Sequence, residues 1–120
     1  MRNARVWTIL ALTMTILNGP QTVGAADCLT TAAMPPRECL QDRLNQERER
    51  MARALEASSA RIEAFRRPAL AAMQDKWRAY RDAKCGFYVH RHAGTGGVLD
   101  ALQCEIDETR RRTQELRDLH

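Results

Sequence analysis

The sequence predicts an all-α, antiparallel three-helix domain that is cross-linked by two disulfides. Apolar residues recur at intervals of three and four along most of the chain after residue 36, which is the period of an amphipathic helix. All four cysteines lie after residue 25, in a domain whose modest core gains from covalent cross-links. No stretch alternates apolar and polar residues strongly enough to favour a strand.

Residues 1–25 have the pattern of a secretory leader. Two arginines precede an apolar run of about 12 residues, and the stretch ends in Val23-Gly24-Ala25, which predicts cleavage before Ala26. The apolar run is shorter than the roughly 20 residues that span a bilayer. Asp27 before Cys28 does not fit a lipoprotein signal. We therefore expect a periplasmic or secreted protein with no stable membrane insertion after cleavage.

The charge of the remaining domain, residues 26–120, argues against a nucleic-acid partner. The whole chain has 19 Lys and Arg against 15 Asp and Glu, a net charge of +4. Arg2 and Arg5 leave with the leader and no acid does, so the domain carries only +2. Binding to nucleic acid needs a concentrated basic face, which this balance does not provide.

The first helix is predicted to begin near Pro36, because proline suits the first turn of a helix. Its apolar stripe has spacings of four, seven, four, seven and three: Leu40, Leu44, Met51, Leu55, Ile62 and Phe65. The stripe keeps its register through Ser58-Ser59, so we expect either one long helix or two collinear helices split at the serines. Pro68 is expected to end or kink it, since its ring clashes with the preceding turn.

Two further helices complete the predicted domain. The second runs from about Pro68 to Cys85, and its apolar face is Leu70, Met73, Trp77 and Tyr80. The segment 86–97 breaks the pattern and is predicted to be a loop. The third helix runs from about Val98 to Leu119, and its face is Leu99, Leu102, Ile106, Thr109, Thr113 and Leu116.

The cysteines predict two disulfides in an exported chain, and three pairings are open. We favour Cys28–Cys39 and Cys85–Cys104, because each pair brackets a turn signal, Pro35-Pro36 in the first case and the glycines of 94–97 in the second. A zinc site is the rival interpretation. It is disfavoured because 10 and 18 intervening residues do not match the short Cys-x-x-Cys spacing of zinc ligands.

A longer motif lies along the second and third helices. It reads Trp77-x-x-Tyr80-Arg81-Asp82-x-x-Cys85, then a glycine loop, then Cys104, then Thr109-x-x-Arg112-Thr113-x-Glu115-Leu116. This motif resembles the N-terminal domain of the LprI-type lysozyme-inhibitor family, a group of small exported bacterial envelope proteins. The resemblance covers roughly Cys28 to Leu116. It implies an exported helical domain that binds another protein, with a lysozyme as the candidate partner.

The residues of this motif favour packing over chemistry. Trp77 is expected in the core, because it shares a helical face with Met73 and Tyr80. Arg81 and Asp82 are adjacent, so their side chains leave the helix about 100° apart and are not expected to pair. Asp82 is instead expected to meet Arg112 from the third helix.

The loop 86–97 is the candidate partner-binding segment. It carries aromatic and basic side chains between glycines, above the predicted Cys85–Cys104 disulfide: Phe87, Tyr88, His90, Arg91 and His92. A rigid base under such a loop suits binding to a protein, and we expect the loop to enter the cleft of a lysozyme. A structural or stress-related envelope domain without a lysozyme partner is the alternative. Weak metal binding through His90 and His92 is a third hypothesis.

Enzyme activity is not expected. Ser58 and Ser59 have no histidine nearby in the sequence, and the cysteines are assigned to disulfides. The acids mostly have basic neighbours three or four residues away, the pattern of a solvated helix face. No glycine-rich phosphate loop follows a strand, so no catalytic residue and no cofactor is predicted.

Overall fold

The computed structural model describes Cys28 and residues 37–91 and 94–120. Within these residues the fold consists of three long helices: α1 (Arg37–Arg61), α2 (Arg67–Val89) and α3 (Gly96–Asp118). A single 3-10 turn, Ala64–Arg66, lies between α1 and α2. The described part contains no strand, so the all-α prediction is confirmed. None of its helices is long and apolar enough to cross a membrane. The predicted leader, residues 1–25, lies outside the described residues.

The helices run up, down and up, and α3 packs against both of the others. Cys85 of α2 is bonded to Cys104 of α3, and Gln74 accepts a hydrogen bond from Arg112, so these two helices are antiparallel neighbours. α1 runs parallel to α3, because Arg48 meets Glu105 at 2.8 Å near the middle of both helices. Near the C-terminal ends of both helices, Ser58 donates a hydrogen bond to the Leu116 carbonyl oxygen. The packing of α3 therefore positions both α1 and α2.

Both predicted disulfides are present. The Cα atoms of Cys28 and Cys39 lie 5.9 Å apart, and those of Cys85 and Cys104 lie 5.5 Å apart. Both separations fall in the normal range for a disulfide. The pairing that we favoured among the three is thus confirmed, and the described part of the chain holds no free cysteine.

The apolar core consists of two clusters along α3. One cluster joins the first halves of α1 and α3 through Leu40, Leu44, Leu102 and Ile106. The other cluster lies at the opposite end of the molecule and consists of Met51, Ala54, Ile62, Leu70 and Leu116, with Trp77 packed against it. A layer of buried polar side chains, which includes Gln74 and Thr109, lies on the same helices. The predicted face of α3 is confirmed, with Leu99 half-buried and the other five residues buried.

α1 is one unbroken helix through the serines. Ser58 is fully buried, and its Oγ donates to the Ala54 carbonyl oxygen at 2.8 Å within α1. The Ser58 hydroxyl therefore has hydrogen-bond partners in α1 and in α3, so the helix does not break at the serines. α1 ends at Arg61, before Pro68, which occupies the first turn of α2 instead. The prediction that Pro68 ends or kinks the first helix was wrong.

Three predicted core positions are exposed. Phe65 lies in the 3-10 turn, outside the register of α1, and is 81% exposed. Met73 and Tyr80 of α2 are 39% and 54% exposed. The buried line of α2 is instead formed by Leu70, Gln74 and Cys85, because α2 packs on α3 along that line. The apolar side chains of Met73 and Tyr80 thus lie on a surface of α2 that the described residues do not cover.

Candidate functional site

The end of the α2–α3 hairpin, defined here as residues 86–97, is more helical than the sequence predicts. Residues 86–89 form the last turn of α2, and Gly96 and Gly97 begin α3. The connection is therefore shorter than the predicted loop, which was placed at 86–97. α2 continues through Gly86, where the loop was predicted to begin, and ends at its C-cap, His90.

Two glycines make this tight connection feasible. Gly94 has φ +89°, a backbone conformation that other residues rarely adopt. A Cβ at Gly97 would lie 2.7 Å from the Tyr88 carbonyl oxygen and closer still to that of Val89. α3 can therefore start directly against the last carbonyl groups of α2 only with glycine at position 97.

The disulfide fixes the base of the hairpin end. Cys85 is 1% exposed, one turn before the predicted partner-binding residues. The sulfur bridge joins it to α3 at Cys104, eight residues after the start of that helix. The last turn of α2 is thus held to α3 by a covalent bond as well as by packing.

Four of the five predicted partner-binding residues lie together at this end, and His92 lies outside the described residues. Phe87 is 78% exposed, and its ring contacts that of Tyr88 edge to face, with centroids 5.9 Å apart. The guanidinium of Arg91 lies 5.8 Å from the centroid of the half-buried Tyr88 ring. His90 and Arg91 are exposed. The hairpin end therefore presents one apolar ring and two basic groups on a braced base.

A cleft of about 300 Å³ lies beside these residues, between α2 and α3. It is lined on both sides by charged and polar groups, which are Lys84, Tyr88, Arg91, Asp100, Gln103, Cys104, Asp107, Glu108 and Arg111. Sequence analysis missed the contribution of α3 to this site. The signal was available, because Asp100, Gln103, Asp107 and Arg111 follow one another at helical spacings of three, four and four.

The Glu108 carboxylate is the electrostatic centre of the cleft. It is almost buried, and it accepts hydrogen bonds from Lys84 at 2.6 Å and from Arg111 at 3.0 Å. The bond from Lys84 to Glu108 raises the pKa of Lys84 above its ordinary value, and a contact with Tyr80 acts in the same direction. Lys84 is therefore a fixed positive charge that links α2 to α3 rather than a group ready for proton transfer.

The motif residues build the α2–α3 interface one turn further along. The Trp77 ring lies between two guanidinium groups, with Arg81 5.0 Å and Arg112 5.9 Å from its centroid. Arg112 is buried, and it donates from Nε to the Gln74 side chain at 2.9 Å and from Nη1 to Glu115 at 2.9 Å. Thr109 and Leu116 are fully buried. The packing role that was predicted for Trp77 is consistent with its half-buried position against the second cluster.

The predicted pair between Asp82 and Arg112 does not form. Asp82 is bound instead by its neighbour Arg81, at 2.6 Å and 2.9 Å from the two guanidinium nitrogens. The prediction that Arg81 and Asp82 do not pair was wrong. The Cα–Cβ bonds of the two adjacent residues point apart, but the arginine side chain is long enough to turn back to the neighbouring carboxylate. Asp82 remains largely exposed, on a face of α2 that does not meet α3.

The sequence of the chain matches the model of a known protein family. A model described as "Lysozyme inhibitor LprI" matches residues 24–116. The chain belongs to the LprI lysozyme inhibitor family. The matched stretch contains all four cysteines, α1, α2 and almost all of α3, so the LprI resemblance of the motif is confirmed. No curated protein and no solved structure gives a significant match.

The metal hypothesis concerns His90 and His92 of this LprI family member. Among the described residues no group of three or more His, Cys, Asp and Glu is arranged to hold a metal ion. His92 does not belong to that set, so the hypothesis stays a prediction that a titration with copper or zinc can test. Changing both histidines to alanine would abolish such binding.

Proposed function

We propose that this protein is an exported lysozyme inhibitor that binds its target through the end of the α2–α3 hairpin. The observation that carries the proposal is membership of the LprI lysozyme inhibitor family. The geometry adds a candidate contact surface, because Phe87, His90 and Arg91 are exposed just beyond a disulfide. An anchored aromatic and cationic group is typical of the residues that contribute most to binding at protein interfaces.

The mechanism that fits this surface is occupation of the lysozyme cleft. Lysozymes cleave glycan with a pair of carboxyl groups in a groove. In the proposed complex Arg91, braced by the Tyr88 ring, enters the groove and faces those carboxyl groups, while Phe87 packs against its wall. The disulfide and the short connection limit the entropy that is lost when this segment becomes ordered. Since residues 26–120 carry only +2, affinity depends on local fit rather than on long-range attraction.

Export is part of the proposal. Two disulfides support an oxidising compartment, because cytosolic proteins rarely keep them. We place the mature protein, residues 26–120, in the periplasm or outside the cell. N-terminal sequencing of protein recovered from the periplasm or the medium should begin at Ala26 or one residue away. Material that retains Met1 would contradict the cleavage.

The test of function is a turbidity assay of cell-wall lysis with several classes of lysozyme. The protein should slow at least one of them. Replacement of Tyr88, His90 and Arg91 by alanine should remove the effect while circular dichroism shows the helices intact. The matched control is Arg53→Ala, which removes an exposed arginine from α1.

The other outcomes have distinct meanings. Full inhibition by the triple variant would place the contact elsewhere, with the exposed Arg110 and Arg111 on α3 as the next candidates. No inhibition of any lysozyme class would favour the alternative, a structural or stress-related envelope domain without a lysozyme partner.

A further inference from the structure

The exposed large apolar side chains of the described residues all lie between positions 65 and 89. They are Phe65, Met73, Tyr80, Phe87 and Val89, whereas α1 and α3 contribute none. Isolated exposed apolar residues are normal on a protein surface, but their concentration on one helix and the turn before it is not. This distribution makes the outer surface of α2 the candidate contact surface.

Six exposed positions of α2 form a continuous line, called here the α2 outer face. Their spacings are four, three, four, three and four, which keeps them on one side of a helix: Ala69, Met73, Lys76, Tyr80, Ala83 and Phe87. At 1.5 Å per residue the line is about 27 Å long. It faces away from the buried line of Leu70, Gln74 and Cys85, by which α2 packs on α3.

The charges on α2 are sorted around this face. The two acids of the helix, Asp75 and Asp82, point about 140° and 160° away from Tyr80 at 100° per residue. Each is already bound by an arginine, at 3.2 Å and 2.6 Å. Lys76 lies on the face itself, and Lys84 borders it, with its Nζ 5.6 Å from the centroid of the Tyr80 ring. Lys84 is itself paired with Glu108 at 2.6 Å. The α2 outer face is therefore apolar, with Lys76 as its charged residue and no acid on it.

The first turn of α2 adds an apolar pocket to this face. A cavity of about 220 Å³ opens there, and two members of the face, Ala69 and Met73, line it together with Ile62, Leu70 and Leu119. Arg66 is the charged residue of its lining. The Arg66 guanidinium reaches Glu63 at 3.4 Å and the His120 carbonyl oxygen at 3.1 Å, so what the pocket offers a ligand is its apolar walls.

We propose that the α2 outer face is a peripheral docking surface for anionic phospholipid bilayers. A second copy of the chain is disfavoured as the occupant, because both faces would carry Lys76 and neither would supply an acid to pair with it. An acidic protein would need an apolar anchor at the centre of the face. Here the large apolar side chains of the face, Met73, Tyr80 and Phe87, are spread along its length and not gathered into one central anchor.

A bilayer surface fits the same features. Helices that lie in the membrane interface combine an apolar face with aromatic rings and lysines or arginines, whose long stems let the charge reach the lipid headgroups. Each cation near an anionic surface increases binding about fivefold. The apolar pocket at Met73 accepts part of an acyl chain. The helix stays on the surface, so no membrane-spanning segment is required.

The test is flotation of the leader-free, disulfide-bonded protein with vesicles of phosphatidylcholine alone or mixed with phosphatidylglycerol. Binding is expected only with the anionic mixture, and it should fall as salt is raised. Met73→Ser with Tyr80→Ser should lower binding at least tenfold. Lys76→Gln should lower it about fivefold. Arg53→Gln, which removes the same charge from an exposed site on α1, should leave it unchanged.

Three results would overturn the proposal. One is no flotation with the anionic vesicles. Another is equal loss of binding in Lys76→Gln and Arg53→Gln, which would indicate a non-specific charge effect. The third is a dimer in sedimentation equilibrium that Tyr80→Ser dissociates, which would assign the face to a second copy. Lysozyme inhibition by the Met73→Ser, Tyr80→Ser variant is expected to persist, so this test is independent of the proposed function.

Discussion

Gln74 and Arg112 join α2 to α3 by a hydrogen bond inside the protein. Arg112 Nε donates to Gln74 Oε1 at 2.9 Å, and both residues are at least 95% buried. Gln74 in turn donates to the Met51 sulfur of α1 at 3.6 Å, so this one amide contacts the other two helices. A buried guanidinium needs such partners, because a charge without hydrogen bonds is expensive to keep away from water. Arg112 of the family motif is thus a structural residue.

Gln74→Ala should therefore destabilise the fold by about 2 kcal/mol, because it leaves the buried Arg112 with one acceptor fewer. Urea denaturation followed by circular dichroism measures the change. Asp75→Ala is the matched control, since Asp75 is exposed and next to Gln74 on the same helix. Equal stability of the two variants would show that the hydrogen bond contributes little.

Periodicity predicted α1 and α3 well because each buries one apolar stripe. Leu40, Leu44, Leu102 and Ile106 follow the helical repeat and meet in one cluster. The same reasoning failed for α2, where the apolar repeat of Met73 and Tyr80 is exposed. A hydrophobic pattern locates a face of a helix, but it does not say whether the same chain covers that face.

The candidate site was only partly predictable for a similar reason. The sequence places Phe87, Tyr88 and Arg91 next to a cysteine, and the structure brings them together. The acids of the cleft come from α3, and one of them, Glu108, pairs with Lys84 across 24 residues only after the helices dock. Gln74 was missed because a polar residue in an apolar register gives no signal of burial.

The two glycines near the hairpin end should respond oppositely to alanine. Gly97→Ala should be strongly destabilising, since its Cβ would lie 2.7 Å from a backbone carbonyl oxygen that cannot move without unwinding α2. Gly86→Ala meets nothing within 4 Å and lies inside α2. It should raise stability by about 0.5–1 kcal/mol, because alanine loses less backbone entropy in a helix. Thermal unfolding of both variants decides this, and a tolerated Gly97→Ala would refute the close contact of the two helices.

Removal of the Cys85–Cys104 disulfide should loosen the hairpin end before it unfolds the protein. Cys85→Ser with Cys104→Ser opens a loop with a sequence separation of 19, which lowers stability by about 3 kcal/mol in the chain-entropy model. Hydrogen exchange should become faster at residues 86–91, while the second half of α1 is less affected. The comparison is Cys28→Ser with Cys39→Ser, which opens the bridge at the start of α1 and leaves the Cys85–Cys104 bond in place. Unchanged exchange at 86–91 would mean that packing alone holds the hairpin end.

Lys84 should keep its charge to an unusually high pH as long as Glu108 is present. The hydrogen bond from Nζ to the Glu108 carboxylate, at 2.6 Å, raises the pKa of Lys84 above its ordinary value of 10.5. A lysine whose pKa is raised on folding contributes stability that is complete below pH 10.5 and is lost as the pH rises through the higher pKa. Glu108→Gln removes the carboxylate charge, so Lys84 should then titrate at a lower pH than in the unaltered protein.

The chain contains only two lysines, so NMR of ¹³C-labelled lysine can follow this titration directly. Lys84→Arg assigns the two signals by removing one of them. The Lys84 signal should shift at a higher pH in the unaltered protein than in Glu108→Gln. Loss of helix should likewise begin at a lower pH in Glu108→Gln, since that variant lacks the ion pair between Lys84 of α2 and Glu108 of α3. If the Lys84 signal titrates at the same pH in both proteins, the ion pair does not form in solution and the cleft is wider than the structure shows.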